Sequence, residues 1–152
     1  MAKRRVVVTG LGAVTPIAND APSTWQGLVN GHSGIETITH FDPSNLPTQF
    51  AGIIKDFSLG DVISAKDAKK MDVFIQYGLV ACSEAVKQSG LLDAAYDADR
   101  IGCALGSGIG GLSTIEHNYS QLMNSGPRRV SPFYIPAAIV NMLSGHLAML
   151  YG

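Results

Sequence analysis

Cysteine is scarce in this sequence. Cys82 and Cys103 are the only two, and neither stands in a C-x-x-C pair or beside a histidine at ligand spacing. Neither a zinc site nor a disulfide framework is suggested, and both thiols are expected to be buried and reduced. An excess of charge is missing as well. Eleven Lys and Arg stand against 12 Asp and Glu, a net charge of −1, so the chain has no overall basic footprint for nucleic acid or a membrane surface. A charge-driven partner must use a local patch. No apolar run is long enough to cross a bilayer. The opening Met1-Ala-Lys-Arg-Arg sets basic residues before Val6-Val7-Val8, but that run is far shorter than a signal-peptide core, and a cytoplasmic location is expected. Repeats, low-complexity tracts and linkers are also lacking.

What is present is a globular composition, 46% hydrophobic and 15% charged over 152 residues, with the length of about one domain. Arg5 to Thr9 is a β-branched run closed by Gly10-Leu11-Gly12, the pattern of a strand covered on both faces. Pro22 to Asn30 reads as a short helix ended by Gly31. Residues 34–58 carry Asp42-Pro43 and Leu46-Pro47 turns and read as an irregular excursion with one small hairpin. From about Asp67 the period becomes helical: Phe74, Gly78, Cys82 and Val86 share a face with Ile75 and Leu79, giving one long helix that ends near Ser89-Gly90. Gly78 costs propensity inside that helix, so it marks close packing against another element. Ile101 to Leu105 reads as a second core strand, Leu112 to Met123 as a polar-faced helix and Val130 to Pro136 as an extended segment. Ala137 to Tyr151 is an apolar helix with Val140, Leu143, Leu147 and Leu150 at helical spacing. Strands alternating with helices give an α/β class with a parallel sheet. Two strands are too few to cover helices this apolar, so the chain reads as part of a domain.

Residues 106–111 hold G-x-G-x-x-G at Gly106, Gly108 and Gly111, which raises a nucleotide-binding module as one reading. A dinucleotide site also needs a strand ending in an acidic residue about 20 positions on. That region is "SGPRRVSPF", with arginines and prolines instead. The other glycine turn, "TGLGAVTP" at residues 9–16, has Pro16 where a phosphate-binding helix should begin.

Four stretches together are more specific. "RRVVVTGLGAVTP", "GSGIGG", "GPRRVSPFYIP" and "IVNMLSGHLAMLYG", in this order and spacing, resemble the N-terminal part of bacterial type II 3-oxoacyl-[acyl-carrier-protein] synthases, over essentially the whole chain. The resemblance implies a thiolase-like αβαβα layered sandwich, usually homodimeric, of which this chain is most of the first part of the N-terminal half. Residues 1–152 are then one incomplete domain with no second domain. The implied reaction is fatty-acid elongation by decarboxylative condensation of an acyl thioester with malonyl-acyl carrier protein, with no cofactor and no metal.

That chemistry needs an activated thiolate and an oxyanion hole. The resemblance puts the nucleophilic cysteine, two histidines and a lysine beyond the position of Gly152, so no catalytic residue is expected in this chain. Cys82 and Cys103 match neither its position nor its environment. His32, His40, His117 and His146 have no cysteine partner, and His146 is expected as a packed or capping residue. By resemblance, Ile109 stands between the nucleophile and an acyl tunnel, with Gly108, Gly110 and Gly111 letting the backbone move around it, while Phe133 reaches the tunnel from the second subunit; the competing view is a tight strand-to-helix turn with Ile109 packed as ordinary core. Lys66, Lys69, Lys70, Arg128 and Arg129 match a basic rim that docks the acidic acyl carrier protein. Lys66 and Lys70 share one helical face if the helix begins that early. The competing view of the lysines is a solvated helix start partly neutralised by Asp67 and Asp72. A second function stays open: a non-catalytic partner subunit of the chain-length-factor kind.

Overall fold

Side-chain caps set several helix starts in the computed structural model, which describes residues 3–152. Asp20 caps α1 (Ala21–Val29) by accepting the Ser23 N–H at 2.7 Å, and Pro22 sits in the first turn, where its missing N–H costs nothing. Gly31, with φ +72°, follows the end of the helix. The small hairpin is β1 (Ile35–Thr37) paired antiparallel with β2 (Phe50–Gly52), Ile35 opposite Gly52. The remaining helices are α2 (Ala65–Ala68), α3 (Val73–Ser89), α4 (Leu112–Ser125), α5 (Tyr134–Ala138) and α6 (Met142–Tyr151), with 3-10 turns at Leu91–Asp93, Ala98–Arg100 and Pro127–Arg129.

The chain forms two compact units. The first holds the residues up to Ser58 together with Ala81–Leu92; the second holds Leu59–Val80 and Asp93–Gly152. In the first unit the glycine turn after the valine run lies directly on α3. A Cβ on Gly12 would fall 1.8 Å from the Ala81 carbonyl oxygen. The Glu84 carboxylate accepts the N–H groups of Ala13 and Ala21, both at 2.9 Å, and the Gln88 side chain accepts that of Leu11. In the second unit Ile75 and Leu79 of α3, Ala137 and Ala138 of α5, and Leu143 and Leu147 of α6 are buried. Gly78 packs as its sequence context predicts: a Cβ there would lie 2.5 Å from Leu143 Cδ1.

Several local expectations are corrected. Arg5–Thr9 and Ile101–Leu105 enter no ladder; among the described residues the only sheet is the β1–β2 pair. Val6, Val7 and Val8 are 92%, 74% and 78% exposed. A β-branched run favours extended backbone, but a strand forms only where a neighbour takes its N–H and C=O groups, and no such neighbour lies among the described residues. For the same reason Cys103 is exposed rather than buried; Cys82, on α3, is half-buried rather than fully buried. The long helix from Asp67 is two helices, because it has two caps: the Ser64 hydroxyl accepts the Asp67 N–H to start α2, and Asp72 accepts the Phe74 N–H to start α3. Lys66 and Lys70 therefore share no continuous helix face. Tyr134–Ala138 is helical rather than extended, since Pro136 is only its third residue and owes no intrahelical N–H bond. The apolar helix starts at Met142 instead of Ala137, after Ile139 breaks to φ −78°, ψ 139°.

Candidate functional site

The turn that carries Ile109 is built from two unlike halves. On its near side Gly106 and Gly108 have open space where a side chain would be. On its far side Gly110 takes φ +84°, and a Cβ on it would fall 2.5 Å from the Ala138 carbonyl oxygen. A Cβ on Gly111 would fall 2.8 Å from Ala138 Cα and 3.0 Å from Asp72 Cβ. Gly110 N–H donates to the Ser107 hydroxyl at 3.1 Å, and Gly111 N–H to the Ala138 carbonyl at 2.9 Å. Gly110 and Gly111 are thus packed, their smallness allowing close approach of the α5 C-terminus, whereas Gly108 has open space beside it. Ile109 itself is 69% exposed.

The residue that organises this turn was not among those singled out from the sequence. In the competing view of the lysines Asp72 is a solvated counter-charge, yet it is 6% exposed. One carboxylate oxygen accepts the Phe74 N–H at 3.3 Å; the other accepts the Thr114 N–H at 2.9 Å and its hydroxyl at 2.7 Å. Its own N–H points to the Ala137 carbonyl at 3.4 Å. Gly111 stands at the N-cap of α4 and has no side chain to cap with, so Asp72 caps that helix from across the unit. The available signal was an aspartate directly before an apolar helical run. Asn118, 4% exposed, extends the network: its carbonyl oxygen accepts the Ser131 N–H at 2.8 Å and its amide donates to the Thr114 carbonyl at 2.9 Å.

This geometry argues against a nucleotide loop. A phosphate at the start of α4 would have to displace a carboxylate already seated on the helix N-terminus, and the Gly110 and Gly111 N–H groups are spent on the chain itself. The turn at residues 9–16 has the same obstacle in Glu84.

The basic residues divide. Lys66, Lys69, Arg128 and Arg129 are exposed. Lys70 is half-buried: its Nζ pairs with Asp67 at 2.7 Å and lies 5.8 Å from the centre of the Phe133 ring, within cation–π range. The structure therefore joins a residue expected in carrier docking to one expected in the acyl pocket. The Lys70 and Ser64 hydrogen bonds hold the Asp67 carboxyl below its ordinary range. Phe133 lines two cavities. One, about 500 Å³, has Val62, Met71 and Leu150 among its apolar walls and Asp67, Lys70 and His146 among its polar ones. The other, about 490 Å³, is lined by Lys69, Asp72, Thr114 and His117 among others. Gly108 and Ile109 line neither. Burial pulls His146 below the ordinary imidazole range, with the Asp67 carboxylate opposing. His32, His40 and His117 are exposed, and no cluster of metal-ligating side chains occurs among the described residues.

Residues 3–152 match the family described as Beta-ketoacyl synthase, N-terminal domain. The chain is 51% identical over its full 152 residues to 3-oxoacyl-[acyl-carrier-protein] synthase 2 of Vibrio harveyi, of which it covers 37%. It is 46% identical to the synthase 2 of Staphylococcus aureus (strain COL), with 98% of this chain and 36% of that protein aligned. The chain thus spans little more than a third of the length of these relatives. Among solved structures it is similar to the ishigamide ketosynthase/chain length factor, with TM-score 0.80 and 27% identity over 99% of this chain and 38% of that one. It is also similar to the ketosynthase assembly AntDE:AntF, described as a type II PKS acyl-carrier protein in complex with its ketosynthase bound to the hexaketide. There the TM-score is 0.76 at 28% identity, over 96% of this chain and 39% of that one. The backbone path is therefore that of part of a thiolase-like ketosynthase, even where its strand segments lack ladder partners among the described residues.

Proposed function

The chain belongs to the beta-ketoacyl synthase N-terminal domain family, and from that premise we propose that it serves as the N-terminal part of a 3-oxoacyl-[acyl-carrier-protein] synthase of type 2 that elongates fatty acyl chains. In the complete enzyme a cysteine thiolate outside these residues takes the acyl group from its carrier thioester. Malonyl-carrier protein then loses carbon dioxide, and its carbanion attacks the acyl thioester, forming the new C–C bond and releasing the thiolate. The observation that carries this reading is identity of 51% to a synthase 2 along the whole chain.

This chain's share of the work is to shape the acyl path and receive the carrier. Gly108 and Ile109 form a gate, Phe133 contributes to the pocket wall, and Lys66, Lys69, Lys70, Arg128 and Arg129 attract an acidic carrier protein. A solved relative that pairs a ketosynthase with an acyl-carrier protein supports the choice of partner. We further assign residues 1–152 to one incomplete thiolase-like domain of a cytoplasmic homodimer. The backbone passes back and forth between the two units, which favours one domain over two in series.

A chain-length-factor-like subunit is the second reading, favoured by the likeness to the ishigamide ketosynthase/chain length factor. Mass spectrometry of the complete protein after incubation with an acyl-carrier thioester separates the two. The enzyme reading expects one acyl group on a cysteine beyond Gly152, followed by 3-oxoacyl product when malonyl-carrier is added. A protein that stays unmodified, or is acylated at Cys82 or Cys103, contradicts it.

A further inference from the structure

We propose that Asp72 is a positioning residue for the acyl gate: it sets chain-length selectivity by holding the turn that carries Ile109 against the C-terminus of α5. The inference rests on the gate reading above and deepens it. Three segments meet at this one side chain and its backbone. Its carboxylate caps α3 through Phe74 and α4 through both donors of Thr114, while its N–H points to Ala137, next to the Ala138 carbonyl that takes the Gly111 N–H.

The arrangement is asymmetric, and the asymmetry fixes what Asp72 controls. Past Ile109, both glycines are packed within 3.0 Å of where their side chains would collide with Ala138 or Asp72. Before Ile109, a Cβ on Gly106 or Gly108 would meet nothing within 4 Å. Ile109 therefore moves as on a lever with one free arm and one clamped end. The clamp is a buried carboxylate with three accepted hydrogen bonds, two of them from the first turn of α4. A negative group there gains from the helix dipole as well as from its donors. The α5 end of the same clamp continues back to Phe133, the α5 N-cap, so gate and pocket wall are referenced to one point. Loss of the clamp frees the far arm, and Ile109 then no longer stands across the path.

The test is made in the complete enzyme with Asp72→Ala, Thr114→Val, Thr114→Ser and Ile109→Ala. Each is assayed for acyl transfer from hexanoyl and tetradecanoyl thioesters, with melting temperature measured in parallel. The readout is the ratio of kcat/KM for the long chain to that for the short one. Asp72→Ala and Thr114→Val are expected to raise that ratio about threefold to tenfold, in the sense of Ile109→Ala. Thr114→Ser, which keeps both donors, should leave it unchanged. Thr114→Val deletes one hydrogen bond at a helix start and keeps the question answerable if Asp72→Ala fails to fold. A ratio that moves in Ile109→Ala but not in Thr114→Val or Asp72→Ala overturns the positioning role and leaves the gate intact. A ratio unmoved in Ile109→Ala overturns the gate itself, and the proposal with it. Equal loss on both chain lengths with a lowered melting temperature makes Asp72 a structural cap only.

Discussion

Enlarging Ile109 to phenylalanine places a rigid ring where the gate reading needs a movable aliphatic group. Two magnitudes separate the possible outcomes. Ile109 is 69% exposed, so about a third of its surface is in contact; full burial of such a side chain is worth about 1.5–3 kcal/mol, and the present contacts contribute no more than about 1 kcal/mol. Gly108 beside it has open space to take up the change. Stability should fall by a few degrees of melting temperature at most. The effect on acyl transfer is larger. Each methylene kept out of an apolar tunnel forfeits about 0.8 kcal/mol, a factor of roughly four, so a block that excludes four methylenes discriminates by up to roughly 200-fold. The assay is transfer from a series of even-numbered acyl thioesters to the complete enzyme, read as kcat/KM against chain length. Ile109→Phe should leave short chains close to wild type and produce a steep fall beyond one length. A uniform decrease at every length, or a melting temperature lowered by about ten degrees with an unchanged profile, would rule out the gate and make Ile109 an ordinary packed residue.

Other outcomes follow from the same contacts. Lys69→Glu should weaken transfer from the protein carrier and flatten its salt dependence while leaving a small thioester substrate nearly unaffected. Lys70→Glu should cost more on both substrates, because Lys70 is also tied to Asp67 and to Phe133. His146 has a folded-state pKa below its ordinary 6.5, so its neutral form is favoured by folding; stability is full above 6.5 and declines as pH falls through the folded value. Urea midpoints measured from pH 7.5 down to about 5 should show that part of the slope removed in His146→Gln. Gly78→Val should destabilise by about 1–3 kcal/mol, since its Cβ would meet Leu143 at 2.5 Å, and Leu143→Ala in the same chain should recover part of the loss in denaturant unfolding.

Helix positions were largely legible because their signals are local. Asp20 and Pro22 mark the start of α1, and the Phe74-Gly78-Cys82 stripe marks α3, before any tertiary contact is considered. The split between α2 and α3 was missed because Asp72 fits equally well a solvated first turn and a buried cap. Only the packing of Thr114 against it decides. The segments Arg5–Thr9 and Ile101–Leu105 failed as strands for the opposite reason: their apolar pattern is real, but pairing is a property of a neighbour that composition cannot place. The candidate site was readable as residue identities and not as an arrangement. Lys70 and Phe133 are 63 positions apart, and their approach depends on how α2 and α5 are held in one unit. The packed far half of the glycine turn was invisible for the same reason, since Gly108 and Gly111 differ only in what packs on them.

Whether these residues do the work of a synthase N-terminal part is decided by exchange. The matching 152 residues of the Vibrio harveyi synthase 2, to which the chain is 51% identical, are replaced by this sequence. The purified hybrid is then assayed for 3-oxoacyl-carrier formation from acyl- and malonyl-carrier protein. A soluble hybrid that condenses the two is expected, with a chain-length profile that shifts when Ile109 is changed. A folded hybrid that decarboxylates malonyl-carrier but never accepts or elongates an acyl chain would contradict it.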